Sequence, residues 1–200
     1  MPEIILHLAT EVTPLWEATE ASLAASQLPP PYWAFAWAGG QALARHVLDH
    51  PKLVAGRRVL DFGAGSGLLA IAAALAGASA VTAAEIDPFA AAAIALNARR
   101  NGVAVSVETA DVIGRRDAPW DSVLVGDMCY ERPLAERLTL WLRDLAGGGT
   151  MVLLGDPGRA YLPRDGLEAL AQYQVPTPLD LEDREVRDGV VWRLLGTAPA

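Results

Sequence analysis

The sequence predicts an α/β fold: a mostly parallel sheet with an antiparallel last strand and helices on both faces. Two patterns predict it. From Arg57 onward, short apolar runs that read as strands alternate with helix-length segments, the order that builds parallel βαβ units. Near the C-terminus, two strand-like runs flank Asp188-Gly189, a hairpin signal that adds an antiparallel strand to the sheet.

The elements follow in order. Residues 1–28 read as a short strand and a helix from about Pro14 to Ala25, with Trp16 and Leu23 available for burial. The prolines of PPPYWAFAWAGGQAL set a stiff extended entry, and Gly39 and Gly40 lead into the helical pattern QALARHVLDH. RRVLDFG is a strand and SGLLAIAAALAG a helix that Gly77 stops. SAVTAAEI is the second strand of this series. A helix follows with Pro88 in its first turn, Asp87 as its N-cap and Gly102 beyond its end. VSVETAD, WDSVLVGD and GTMVLLGD give three more strands, with LAERLTLWLRDLA a helix before the last of them. A further helix is expected near Asp165 to Tyr173. No repeat or domain-splitting linker interrupts the series, so residues 1–200 are expected to form one domain, with 1–50 as an N-terminal cap segment and 57–200 as the core.

Composition narrows the function. Apolar residues make up 52% and charged residues 20%, as in a globular chain. The formal charge is -8 and no Lys/Arg cluster appears, so no basic face is expected for nucleic acid. An acidic surface suits a basic or amine-bearing partner. The most apolar stretch, Leu68 to Ala84, is broken by Gly77 and falls short of a membrane span. With the single Cys129, no internal disulfide can form. The N-terminus has neither a signal-peptide nor a transit-peptide pattern. A monomer in the cytoplasm, binding neither nucleic acid nor membrane, is the expectation.

The stretch VLDFGAGSG carries the chemistry. Small residues between an apolar strand and an apolar helix bring backbone close to a nucleotide. Gly63, Gly65 and Gly67 are spaced G-x-G-x-G, whereas dinucleotide binding wants G-x-G-x-x-G with a pyrophosphate at the helix N-terminus. A loop without that spacing, with Asp61 at its start, suits a cofactor that bears a positive amine and no phosphate. S-adenosylmethionine is such a cofactor, with Asp61 near its methionine end.

DFGAGSG resembles motif I of the Rossmann-like seven-strand S-adenosylmethionine-dependent methyltransferases. That resemblance implies a ribose-binding role for Glu85 in TAAEIDP and places Asp111 in ETADV at the adenine edge. Three successive strand ends would then face the ligand, as open α/β sheets arrange it.

Two further stretches concern the methyl acceptor. Asp127-Met128-Cys129-Tyr130, after the fourth strand of the series, is similar to the D-x-x-Y signature of the protein-lysine methyltransferase branch. Tyr32-Trp33-Ala34, Trp37 and Gly39-Gly40-Gln41-Ala42-Leu43 resemble the PYWA…W-x-GGQAL segment of the electron transfer flavoprotein β-subunit lysine methyltransferases, with Ala38 where that family usually has Pro. The resemblance runs from about Leu8 to the C-terminus. It implies an N-methyltransferase acting on a lysine of that flavoprotein subunit. Asp127 would align the amine, Tyr130 would wall its channel, and Trp37 with Trp33 would cover the cofactor.

Other readings stand beside this one. A small-molecule amine methyltransferase of the nicotinamide type would share the fold, and so would a non-catalytic cofactor-binding scaffold. A nicotinamide-dinucleotide oxidoreductase is disfavoured by the glycine spacing. His46 and His50, four apart on a helix, lack the further ligands that a metal needs and are expected at a solvated helix end, so no metal is expected. Cys129 has no identified His partner and reads as buried filler. Arg99, Arg100 and Asn101 suit a helix C-terminus.

Overall fold

Strand β1, Arg58–Phe62, is buried from its second residue onward and has a parallel neighbour on each side, which explains its unbroken apolar run. The computed structural model describes residues 1–9, 30–115, 119–177 and 184–196. Among these, β2 (Ala80–Ala84), β3 (Ser106–Glu108), β4 (Ser122–Gly126), β5 (Met151–Asp156), β6 (Leu167–Pro176) and β7 (Val186–Leu194) join β1 in one seven-stranded sheet of order β3-β2-β1-β4-β5-β7-β6. Strands β1 to β5 are mutually parallel. Strand β7 inserts antiparallel between β5 and β6, so the last strand is the antiparallel one.

Helices α1 (Ala38–Asp49), α2 (Leu68–Leu75), α3 (Pro88–Arg100) and α4 (Arg132–Gly147) cover both faces. Leu43 and Val47 of α1, Ile71 of α2 and Ile94 of α3 share one core with Val59, Leu124, Leu153 and Val191. Leu138, Trp141 and Leu142 of α4 share the other with Leu60, Val123, Val125 and Leu154. Helix α2 buries Leu68 to Ala73 in succession because it packs both on the sheet and against α1, so it shows no polar stripe. Its end is a Schellman motif: Gly77, at φ +90, donates to the Ala74 carbonyl and Ala78 donates to Ala73. Helix α3 ends with the same pair of bonds around Gly102, and Asp87 caps its start by accepting from the Phe89 amide at 2.8 Å. No helix among the described residues is long and apolar enough to cross a membrane.

Three expectations are corrected. The helix foreseen at Asp165 to Tyr173 is strand β6. Leu167, Ala171, Tyr173 and Val175 lie on its more buried side, a period of two that strand pairing favours over the helical propensity of LEALAQ. Asp188-Gly189 is no turn, since β7 runs straight through it with Gln174 opposite Asp188 and Tyr173 opposite Gly189. Glycine is needed there because a Cβ would stand 2.6 Å from the Ala42 Cβ of α1. Residues 1–9 pair with no strand; Ile5 and His7 instead bond through their backbone to the side chains of Asn101 and Asn97 on α3. The helix foreseen from Pro14 to Ala25 lies outside the described residues.

Of the two histidines expected at a solvated helix end, His50 is there, at the C-cap of α1, and His46 is not. His46 is buried, with Nδ1 3.0 Å from the Tyr173 hydroxyl, while His50 is exposed and its ring stacks 4.3 Å from that of His46.

Candidate active site

The carboxyl ends of β1, β2 and β4 open onto a cavity of about 620 Å³, with a recess of about 50 Å³ at its base. Trp37, Gly63, Gly65, Glu85, Asp111, Asp127 and Tyr130 line the cavity. Asp61 lines only the recess, and Gly67 lines neither.

On the β1–β3 side, the loop after β1 turns on glycines at positive φ, +65 at Gly63 and +52 at Gly65. The left-handed backbone at Gly63 favours glycine, and the missing side chain leaves room for the Met128 thioether, which a Cβ would overlap. Glu85 fixes this loop: one carboxylate oxygen accepts the Gly65 amide at 2.9 Å and the other accepts the Asp87 amide at 3.1 Å.

Asp61 and Gly67 do a joint structural job. Gly67 is the left-handed N-cap of α2 and has no side chain to satisfy the helix amides. Asp61 supplies the missing acceptor from β1, its Oδ2 taking the Ala70 amide at 2.8 Å. Burial pushes the Asp61 carboxyl up to about 7, against the lowering effect of that amide and with a smaller upward push from Glu85. Its Oδ1 is buried with no donor. Gly67 therefore seats α2 against Ile94 rather than walling the cavity.

Asp111 reaches the cavity with its carboxylate engaged. Oδ1 accepts the Ile113 amide at 2.9 Å and Oδ2 pairs with Arg137 at 2.6 Å, and that pair is what chiefly holds its carboxyl below the usual range.

On the β4–β5 side the site is assembled from three distant segments. Asp127 directly follows strand β4 and sits at φ +58, while its amide donates to the Gly155 carbonyl at 3.0 Å. Helix α1 approaches so closely that a Cβ on Gly39 would overlap the Gly155 carbonyl, and one on Gly126 would stand 2.9 Å from the Gly40 Cα. That approach aims the helix N-terminus at the acid: the Gly40 amide donates to Asp127 Oδ2 at 2.7 Å. The loop after β5 brings Arg159, whose Nη2 and Nε donate to Asp127 Oδ1 at 2.9 and 3.3 Å. Arg159 is itself placed by Asp156, whose Oδ1 accepts its amide at 2.6 Å and that of Gly158 at 2.7 Å. Burial pushes the Asp127 carboxyl up to about 6, although Arg159 and the Gly40 amide both act to lower it.

Aromatic rings line the same cavity as this acid. The Trp37 indole donates to the Tyr32 carbonyl at 2.9 Å, and the Arg159 guanidinium lies over its ring at 5.5 Å. The Tyr32 ring packs at 5.6 Å from Tyr130, and both are exposed at about two-fifths of their surface, 40% and 42%. Burial raises the Tyr130 hydroxyl further, with a smaller contribution from Tyr32, so it stays protonated. Cys129, pushed up to about 12 chiefly by burial, is no nucleophile. No cluster of metal-binding side chains occurs among the described residues.

The structure thus brings Trp37, Gly63, Gly65, Glu85, Asp111, Asp127 and Tyr130 to one cavity, with Asp61 in the adjoining recess. Sequence reasoning missed Arg159, Asp156 and the glycine contact of α1 with β5. The signal for the first two was GDPGR after β5, an Asp-Pro-Gly turn that holds an arginine at a strand's carboxyl end.

A family model described as ribosomal protein L11 methyltransferase (PrmA) matches residues 42–126. The chain is 43% identical to the electron transfer flavoprotein beta subunit lysine methyltransferase of Danio rerio, over 96% of this chain and 76% of that protein. It is 42% identical to the protein of the same name from Xenopus laevis, over 96% and 79%. Among solved structures, magnesium protoporphyrin IX methyltransferase from Synechocystis with bound SAH superposes with a TM-score of 0.56 at 17% identity, over 78% of this chain and 81% of that one.

Proposed function

The chain belongs to the electron transfer flavoprotein beta subunit lysine methyltransferase family, and from that membership we propose that it is an S-adenosylmethionine-dependent protein-lysine N-methyltransferase acting on the β subunit of that flavoprotein. The observation that carries the reading is Asp127: a buried carboxylate that shares one cavity with Trp37, Tyr32, Tyr130 and the glycine loop.

The residues present fit the cofactor. Gly63 and Gly65 leave backbone exposed on the cavity wall. Glu85 has committed one lone pair of each oxygen to an amide, and a carboxylate offers about four acceptor positions, so it can still accept two hydroxyls. Asp61 Oδ1 is a buried acceptor without a donor beside the recess, the feature of a carboxylate that a cationic ligand completes. Asp111 is tied to Arg137, so it serves this site by shaping the loop at Ile113.

When bound, S-adenosylmethionine supplies a methyl group on a sulfonium. The chain's residues orient the acceptor. A lysine ammonium, with a pKa near 10.4, has to shed its proton before its lone pair can react. Asp127, ionised above pH 7, attracts and aligns that ammonium while water takes the proton; its carboxyl at about 6 is too acidic for it to be a strong base. Tyr130 and Tyr32 wall the approach, excluding water and holding the lysine stem. Alignment of this kind is worth up to about 7–11 kcal/mol in well-ordered reactions.

The test is transfer of labelled methyl from S-adenosylmethionine to purified electron transfer flavoprotein. Label on a lysine of the β subunit, lost with Asp127→Asn, is the expected result. Intact cofactor binding without label on the flavoprotein would overturn the substrate.

A further inference from the structure

Every described buried carboxylate near the cavity except Asp127 is held by backbone amides alone; Asp127 also carries a cation. Its Oδ2 is taken by the Gly40 amide. Its Oδ1 carries the counter-charge, since Arg159 fills it with two N–H donors at 2.9 and 3.3 Å. We propose that the acceptor site works by cation exchange: Arg159 is the resident counter-ion of Asp127, and the substrate's lysine ammonium takes its place on Oδ1. This rests on the lysine-methyltransferase reading and sharpens its substrate class to cationic amines.

The geometry explains how the exchange stays easy. A buried carboxylate is costly without a positive partner, so the pocket holds Asp127 compensated before the substrate arrives and again once it is bound. Arg159 is anchored separately at its backbone and at its guanidinium. Its backbone amide is pinned by Asp156, while its guanidinium lies over the Trp37 ring, a seat it can keep after releasing Oδ1. Left there, it stands beside the incoming ammonium, and a neighbouring like charge favours the proton loss that transfer requires. A neutral acceptor, such as a pyridine nitrogen or a hydroxyl, has no charge with which to compete for Oδ1. Among the described residues, the other titratable groups interacting with Asp127 are Asp156 at the end of β5 and the Cys129 thiol beside it. The first turn of α1, Ala38 to Gln41, contributes none.

The experiment compares wild type with Arg159→Gln and Arg159→Lys. The Asp127 carboxyl is followed by 13C NMR across pH, and n-butylammonium, a lysine side chain without its backbone, is titrated in. In Arg159→Gln the Asp127 midpoint should rise by at least about one pH unit, and in Arg159→Lys it should stay near wild type. At a pH above both midpoints, n-butylammonium should perturb the Asp127 resonance at several-fold lower concentration in Arg159→Gln. KM for the flavoprotein should fall likewise there, with the acid limb of kcat/KM displaced upward. An unmoved midpoint, or unchanged or weaker n-butylammonium binding, would overturn the exchange. If Arg159→Gln melts early, Arg159→Met keeps the stem over Trp37 and carries the same expectations. A wild type that labels no flavoprotein sinks the substrate assignment instead, because the NMR readouts use no protein acceptor.

Discussion

The two sides of the cavity are built differently. The β1–β3 side comes from one stretch, 61–111, and works largely through backbone: glycines at positive φ, amides held by Glu85, and a helix capped from the strand by Asp61. The β4–β5 side is a meeting of three stretches, the start of α1, Asp127 and Arg159, with 87 residues between the first two sites and 32 between the last two, and it works through side-chain charge. A cofactor of constant shape can be met by a rigid, local loop. An acceptor that must enter, lose a proton and leave needs a charge whose partners can change.

Substitution can test that division. The largest effect is expected at Asp127→Asn, since asparagine tolerates the left-handed backbone at φ +58 and keeps a hydrogen-bonding group there. Methyl transfer should drop by at least about 10²-fold, on the order expected when an orienting group is lost. Cofactor affinity by calorimetry should stay within a few-fold. A matching fall in cofactor affinity would mean that the two sides are not separable. Next is Glu85→Ala, on the other side. Losing its acceptors should weaken cofactor binding by roughly 10- to 100-fold, the range for hydrogen bonds to a charged group. Turnover at saturating cofactor should be altered much less. Equal calorimetric affinities would remove Glu85 from the cofactor wall.

The same division decided what could be read from the sequence. The glycine loop, Glu85 and Asp111 were legible because local spacing fixes them: each follows its strand by one to three residues. Asp127 and Tyr130 were legible for the same reason, at the end of β4. Arg159 was not, because its partner lies 32 residues upstream and only the neighbouring of β4 and β5 brings them together. The double glycine of α1 announced itself as a motif, but its cause, contact with Gly155 and Gly126, depends on how the helix crosses the sheet. Strand β6 was misread because LEALAQ favours a helix in isolation, and pairing with β7 outweighs that preference. Gly67 and Asp61 were found as motif residues, yet their shared helix-capping role appears only once β1 and α2 are placed.

Asp61 gives a subtler probe of the cofactor side, through pH. Its carboxyl titrates at about 7 in the fold against an ordinary 3.8, so between those values the folded chain holds a proton that the unfolded chain lacks. Raising the pH across that window therefore disfavours the fold: stability from this site is present below about pH 4 and lost as pH rises through 7, by up to about 1.4 kcal/mol per pH unit. Asparagine does not titrate and can still accept the Ala70 amide. Urea midpoints at pH 5, 6, 7 and 8 should show Asp61→Asn gaining on wild type as pH rises. Parallel curves would show that Asp61 is ionised in the fold throughout, with its charge compensated from within.

The smallest effect is expected at Asp111, and it separates a residue that lines the cavity from one that serves it. The acid and Arg137 are both more than half exposed, 53% and 59% at the side chain. An exposed pair of this kind contributes about 0–1 kcal/mol. Oδ1 matters more to the local backbone, where it accepts the Ile113 amide, and asparagine can make that bond equally well. Asp111→Asn should therefore leave both stability and cofactor affinity within about threefold of wild type, a difference below about 0.7 kcal/mol. A loss as large as that of Glu85→Ala would mean that Arg137 yields Asp111 to the cofactor on binding. Side-chain exchange would then operate on both sides of the cavity, and the contrast between a backbone side and a charge side would fail at its third strand.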